Sequence, residues 1–339
     1  MDTESKIRFA VIGAGHIGKR HAAMVTQHPE AELVGICDVR PATETGWDRP
    51  EVPYFDSPGA MLAACPDADV VCVCTPNGLH EQHALLALEA RKHVIIEKPM
   101  ALTRAGCEAI IYKALQVSRQ VFCVMQNRYS PPSVWLKDLI REEKLGNIFM
   151  VQVNCYWNRD NRYYKAGGWK GTPDLDGGTL FTQFSHFIDI MYWLFGDIRN
   201  IQAKFNNFNH QSSIAFEDTG VVNFEFVNGG MGSINYSTAV WDANLESSIT
   251  VVGEKGSVKV GGQYMNEVVH CHVQDYVMPT LPPANPPNDY GPYKGSAANH
   301  HYIFENAVDV LKGRATITTN ALEGMKVVEI IERIYELKK

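Results

Sequence analysis

A chain of 339 residues is too long for one ordinary core and fits two domains. Hydrophobic content of 45% and charged content of 20% are those of a soluble globular protein, and a formal net charge of -7 argues against a broad nucleic-acid surface. No apolar run approaches the roughly 20 residues of a membrane helix, so neither nucleic acid nor membrane is expected as a partner. The start, MDTESK, is polar and lacks the apolar stretch of a secretion signal. The 8 cysteines make no disulfide framework in a chain this long. Cys37, Cys72, Cys74 and Cys123 fall inside apolar runs, where small buried thiols are common. A reduced, cytoplasmic setting is the simplest reading.

In chain order, Ile7–Ile12, Glu32–Cys37, Asp69–Cys74, His93–Ile96 and Val121–Val124 are short β-branched and apolar runs that suit buried parallel strands. Between them Ile17–Gln27, Pro58–Ala64, Leu79–Ala90 and Arg104–Ser118 read as helices. This alternation predicts an α/β fold with a doubly wound parallel sheet.

The first strand enters Gly13-Ala14-Gly15-His16-Ile17-Gly18. Gly13 makes the tight turn, Gly15 admits a pyrophosphate to the backbone, and Gly18 lets helix and sheet approach. The helix opening at His16 and Ile17 offers N–H groups and a partial positive charge to phosphate. Asp38, 20 residues beyond Gly18, ends the second strand. Its carboxylate suits the adenosine ribose hydroxyls and repels a 2′-phosphate, which favours NAD over NADP. Arg40 weakens that preference, since it could stack on adenine or meet a phosphate.

After the third strand, Thr75 and Asn77 line the crevice at the carboxyl end of the sheet, where a dinucleotide's ribose and phosphates lie. Asn77 reads equally well as the N-cap of the next helix. His80 falls in that helix as a cofactor-side residue whose role is structural. The fourth strand ends in Glu97-Lys98-Pro99, where Glu97 is a candidate cofactor contact. A lysine beside the nicotinamide can lose its proton through burial and act as a base, whereas a lysine at a loop is ordinarily a solvated charge; chemistry alone leaves both readings open. The Lys98–Pro99 bond is a candidate for the cis form.

The second half changes style. Asn147–Trp157, Ile198–Phe205, Gly220–Phe226, Met231–Ser237 and Ser248–Val252 are β-rich, with turn signals at Asn228-Gly229-Gly230 and Gly253–Gly256. This predicts an antiparallel meander, a boundary near Met125–Ser130, and domains of residues 1–125 and 126–339. Met278–Pro292 is proline-rich and is expected to form no regular structure. Arg159 and Arg162 could hold phosphate or carboxylate, or be two solvated cations. Tyr163, Tyr164 and Trp169 could stack on a sugar or a base, or simply pack. His186, on the apolar helix Phe181–Leu194, suits either catalysis or a core. His270-Cys271-His272 lacks a third ligand, so no metal is expected.

GAGHIG, Cys74-Thr75-Pro76-Asn77 and Glu97-Lys98-Pro99, in this order, resemble the glucose-fructose oxidoreductase / inositol dehydrogenase / MocA family. Gly177-Gly178-Thr179-Leu180 followed by His186 and Asp189, and the final helix from Ala321 to Tyr335, are similar to that family's second half. The resemblance implies a Rossmann domain followed by an α+β domain on a large, open, mostly antiparallel sheet. It implies hydride transfer between NAD(P) and a sugar or polyol carbon, with Lys98 and His186 at the reacting hydroxyl. It also implies a homodimer or homotetramer. Thr182, followed by Gln183, stands where many members carry an aspartate; this departs from the inositol-dehydrogenase pattern and leaves Lys98 as the base. Arg159, Arg162, Tyr163, Tyr164, Trp169, Thr182, Gln183, His186, Asn299 and His300 together resemble the substrate side of the nucleotide-sugar branch, the UDP-N-acetylglucosaminuronate and UDP-N-acetylglucosamine 3-dehydrogenases. For that branch a 2-oxo acid is a candidate partner for cofactor recycling. The rival readings are a dehydrogenase of free sugars or polyols, an NAD-using glycosidase and a non-catalytic NAD sensor; retention of Lys98 and His186 argues against the sensor.

Overall fold

The computed structural model describes residues 5–338. Residues 1–4, which hold most of the polar start, and Lys339 lie outside the described residues. The chain divides into two compact units, residues 1–125 with 300–325, and residues 126–299 with 326–339.

The first unit alternates strand and helix: β1 (Ile7–Ile12), α1 (His16–Gln27), β2 (Ala31–Cys37), α2 (Ala42–Thr45), β3 (Tyr54–Phe55), α3 (Pro58–Ala64), β4 (Val70–Val73), α4 (His80–Glu89), β5 (His93–Ile96), α5 (Arg104–Val117) and β6 (Val121–Cys123). The strands lie in the order β3-β2-β1-β4-β5-β6 and pair in parallel throughout. Such strands are covered on both faces, which explains their uninterrupted apolar runs; every residue of β4 is buried. Phe9, Ile36, Ile95 and Phe122 are sealed in this core. Ser57 caps α3 through the Ala60 N–H at 3.4 Å, and Thr103 caps α5 through Gly106 at 3.0 Å. The strand order reverses between β1 and β4, and ligands of open parallel sheets sit outside the strand ends at such a point. The turns after β1, β2, β4 and β5 carry Gly13, Asp38, Thr75 and Lys98.

The second unit comprises α6 (Pro131–Arg141), β7 (Ile148–Tyr156), α7 (Ser185–Phe195), β8 (Ile198–Asn206), β9 (Thr219–Phe226), β10 (Met231–Ser237), β11 (Glu246–Gly253), β12 (Gly256–Gly261), β13 (Glu267–Val273), β14 (Pro287–Asp289) and β15 (Lys294–Ala297). Seven strands form one sheet in the order β13-β12-β11-β7-β10-β9-β8. Strict alternation puts Val222, Phe224 and Phe226 of β9 inside and Val221, Asn223 and Glu225 outside. Trp157 meets Phe184 and Phe187 edge-on, at 5.5 and 5.7 Å between ring centres.

Three expectations are corrected here. The sheet is not a simple meander, because β7 sits between β11 and β10 and runs parallel to β10. The proline-rich stretch is not wholly irregular: Pro287–Asp289 pairs with Lys294–Ala297 as a two-stranded ribbon. The second unit is not a single segment, since α8 (His300–Leu311) packs on α1 in the first unit and α9 (Ala321–Tyr335) contributes residues to both.

Candidate active site

In the first unit, Gly13 adopts φ +100° and its N–H donates to Cys37 O at 2.8 Å. A Cβ there would stand 2.7 Å from Cys74 O, and one on Gly18 would stand 1.7 Å from Gly13 O. Only glycine fits either position. A Cβ on Gly15 would meet nothing within 4 Å, so the turn leaves open space where a phosphate would approach. Gly15 is the N-cap of α1, no side chain caps the helix, and its first turn, which contains His16 and Ile17, holds no acid. Uncapped N–H groups beside an open backbone fit a pyrophosphate.

Asp38 accepts from the Ala14 N–H at 2.9 Å and from the Arg40 guanidinium at 3.0 and 3.1 Å. Burial pushes its carboxyl up, but the hydrogen bonds from Arg40 and Ala14 outweigh this and hold it below the usual range. The charge of Arg40 is thereby matched by Asp38 rather than left for a 2′-phosphate. Asp38→Ala is expected to weaken NAD binding about tenfold and to narrow the preference over NADP, read as two dissociation constants by fluorescence titration.

Thr75 Oγ1 lies 3.0 Å from His83 Nδ1. Asn77 begins a 3₁₀ turn, Asn77–Leu79, and α4 starts after Leu79 without a side-chain cap, so the N-cap reading of Asn77 does not hold. His80 is buried and links two strand ends, with Nδ1 2.7 Å from Pro99 O and Nε2 2.9 Å from Thr75 O. Burial lowers its proton affinity and outweighs the two carbonyls. Lys98 is half-buried and its bond to Pro99 is cis. Glu97 is turned into the unit, where Oε1 lies 2.8 Å from His21 Nε2 and 3.8 Å from His300 Nε2. His300 is thus a buried neighbour of Glu97, and burial pushes its ring down to about 3. That placement differs from the substrate-binding role expected of it.

In the second unit, a π-helical turn, Leu180–Phe184, leads into α7 and carries Thr182 and Gln183. Such irregular turns recur at functional sites. His186 is 4% exposed, and Gln126 Nε2 donates to its Nε2 at 3.2 Å. One turn on, Asp189 accepts from Arg128 at 2.9 and 2.5 Å. Both helix residues are therefore tied to the same short turn, Gln126–Tyr129. Thr182 donates to the carboxylate of Asp176, whose burial raises it to about 6.

Arg159 is 2% exposed. Its donors go to Gln183 Oε1 at 2.7 Å, Asn158 O at 2.6 Å, Asn244 Oδ1 at 3.2 Å and Lys294 O at 3.0 Å, all neutral acceptors. Its guanidinium lies over Trp157, Tyr163 and Tyr293 at 4.7, 5.3 and 5.1 Å. Arg162 differs: it is exposed and paired with Asp160 and Asp242. Tyr163 and Tyr164 are buried in an aromatic cluster with Ile214 and Tyr293, and Gln183 donates to the Tyr163 hydroxyl at 2.6 Å. Packing, not an open stacking face, is their observed role. Trp169 is half-buried. Asn299 is buried and donates to Gln126 O at 3.3 Å and Ser130 Oγ at 3.1 Å. A cavity of about 390 Å³, lined in part by Phe205, Phe216, Glu217 and Lys338, contains none of the expected site residues. Among the described residues no cluster of three metal-ligating side chains occurs, and no helix is long and apolar enough to cross a membrane.

Sequence reasoning missed His21, Gln126 and Arg128. The one available signal was polarity inside apolar or turn segments. Their partners lie 76 residues away for His21 and 60 and 61 for Gln126 and Arg128.

Residues 7–124 match the model "Oxidoreductase family, NAD-binding Rossmann fold", and residues 134–259 match "GFO/IDH/MocA C-terminal domain". The chain is similar to the solved WlbA dehydrogenase of Chromobacterium violaceum, in complex with NADH and UDP-GlcNAcA, with 33% identity, TM-score 0.87, and 99% of this chain and 94% of that one covered. The WlbA dehydrogenase of Bordetella pertussis, solved with the same two ligands, has 32% identity, TM-score 0.84, and coverage of 98% and 96%. D-glucoside 3-dehydrogenase of Escherichia coli is 29% identical over 249 residues, 68% of this chain and 69% of that protein. With a Gly-rich turn that fits a pyrophosphate and matches across both units, the chain belongs to the GFO/IDH/MocA family of NAD-binding oxidoreductases.

Proposed function

We propose that this protein oxidises the C3 hydroxyl of a UDP-linked N-acetylated sugar, giving the 3-keto sugar, with UDP-N-acetylglucosaminuronate preferred over UDP-N-acetylglucosamine. The observation that carries this reading is Arg159. A buried guanidinium whose hydrogen bonds all go to neutral acceptors is an uncompensated charge, and such a charge is costly unless an anion joins it. A uronate carboxylate supplies that anion and can accept from the one guanidinium N–H that these four bonds leave over. The WlbA enzymes solved with UDP-GlcNAcA support the same reading.

NAD, when bound, supplies the hydride acceptor. Gly13, Gly15, Gly18 and the opening of α1 would hold its pyrophosphate, and Asp38 would hold a ribose. Thr75 and Asn77 line the same crevice. Lys98, as a neutral amine, takes the proton of the sugar hydroxyl. His186, its ring fixed by Gln126, hydrogen-bonds the reacting oxygen. Gln183 keeps Arg159 and Tyr163 in register. Arg162 and Trp169 serve the nucleotide end. The same reading carries a cytoplasmic homodimer or homotetramer that recycles its cofactor with a 2-oxo acid.

Arg159→Leu tests the substrate. The expected result is a fall in kcat/KM of about 10–100-fold for the uronate, with a much smaller change for the neutral sugar. Equal losses on both would assign Arg159 to structure alone. A free-sugar dehydrogenase, as the D-glucoside relative suggests, would turn over glucosides in preference to either UDP-sugar.

A further inference from the structure

Glu97 precedes the proposed base, yet it is only 6% exposed and its carboxylate faces the interior of the first unit. Two elements distant in sequence hold it there. His21 of α1, fully buried, lies 2.8 Å from Oε1, and His300 of α8 lies 3.8 Å from the same oxygen. The His21 ring is itself fixed edge-on against Phe304, at 5.0 Å between ring centres. Glu97 Oε2 faces the backbone N–H of Lys98 at 3.3 Å. The next carbonyl along the chain, that of Pro99, meets His80 Nδ1 at 2.7 Å. The segment Glu97–Pro99 is therefore clamped at both ends by buried imidazoles.

A buried carboxylate is costly unless its charge is met. Burial pushes Glu97 up, but the His21 hydrogen bond and the nearby Lys98 outweigh that and keep it ionised. Around Lys98 stand Glu97 at its own strand end, His80 of α4 and His300 of α8, with His21 and Arg20 of α1 behind them. Cys72 of β4 is buried and Cys74 just after it is half-buried, and burial raises both thiols so that they stay neutral.

We infer that Glu97 is a positioning residue for Lys98: held by His21 and His300, its carboxylate fixes the turn that presents the lysine and keeps a negative charge beside the amine. The inference goes beyond the cofactor contact expected of Glu97, and it rests on the reading of Lys98 as the base. A fixed negative neighbour favours the ammonium form. Without it the amine would lose its proton at lower pH, and the turn would lose its inner anchor.

The test measures Lys98 directly, with no sugar present. The full chain is labelled with limiting isotopic acetic anhydride across a pH series, and the Lys98 peptide is quantified by mass spectrometry. In Glu97→Gln the Lys98 midpoint is expected about one pH unit lower than in the wild type. With substrate, kcat of this variant is expected to fall about 10–100-fold with little change in KM. His21→Gln retains an amide donor toward Glu97, so its Lys98 midpoint should stay at the wild-type value. An unchanged midpoint in Glu97→Gln overturns the inference. A fall in His21→Gln as large as in Glu97→Gln also overturns it, by assigning the effect to packing. Full turnover by a Lys98 variant would instead sink the assignment of the base and leave these midpoints standing.

Discussion

Lys98→Met is expected to lower kcat by about 10²–10⁴-fold while leaving NAD binding in place. Lys98 follows β5, which pairs with β4, and the strand order reverses between β4 and β1. The groups assigned to NAD are separate from it: Gly13 and Gly18 are fixed by backbone contacts, and Asp38 is held by Ala14 and Arg40. Methionine keeps the length and apolar stem of lysine and removes only the titrating nitrogen. Loss of turnover with NAD still bound therefore reads out proton transfer. Stopped-flow and equilibrium titration separate the two. Turnover within about threefold of the wild type would remove Lys98 from the chemistry.

Asp189→Ala should destabilise the second unit by about 3–5 kcal/mol. Asp189 and Arg128 are 1% and 4% exposed at their side chains and form two hydrogen bonds at 2.9 and 2.5 Å. The gain from this pair over two apolar residues is modest, but removing one partner strands a buried charge. The same turn carries Gln126, which holds His186, so substrate turnover should fall along with stability. Trp135, Trp157, Trp169, Trp193 and Trp241, five of the 6 tryptophans, belong to the second unit, so tryptophan fluorescence in urea follows that unit. An unchanged midpoint would mean that Arg128 finds another partner or water. The double variant Asp189→Leu with Arg128→Met should recover much of the loss.

The first unit was legible in the sequence because its strands are covered on both sides. Val70–Val73 and Val94–Ile96 are wholly buried and apolar, and the glycine turn has a geometry that no other residue tolerates. Tyr54–Phe55 escaped notice because two residues carry no periodicity. In the second unit alternation located β9 and β10, yet it could not reveal that β7 and β10 run parallel, because the pattern of inward and outward residues is the same in either direction. The ribbon at Pro287 needs only two pairings, which proline permits at an edge.

Legibility of the candidate site follows sequence distance. Gly13, Gly15, Gly18 and Asp38 form a local motif with fixed spacing. His21 sits three residues beyond the same motif, but its partner Glu97 is 76 residues on, so its role could not be read from neighbours. Tyr163 and Tyr164 carry equal potential for stacking and for packing. Only their exposure, 8% and 4%, decides for packing. Arg159 and Arg162 look alike in sequence and differ completely in environment, one enclosed by rings and amides and the other exposed and paired with two aspartates.

The central claim is tested most directly by NADH formation with purified protein, NAD and either UDP-N-acetylglucosaminuronate or UDP-N-acetylglucosamine, each with and without 2-oxoglutarate. The account predicts oxidation of the uronate at C3 in preference to the neutral sugar, seen as NADH or, where the keto acid recycles the cofactor in place, as 3-keto product. No product from either UDP-sugar, in a preparation that binds NAD and oxidises a free sugar or glucoside, would contradict it.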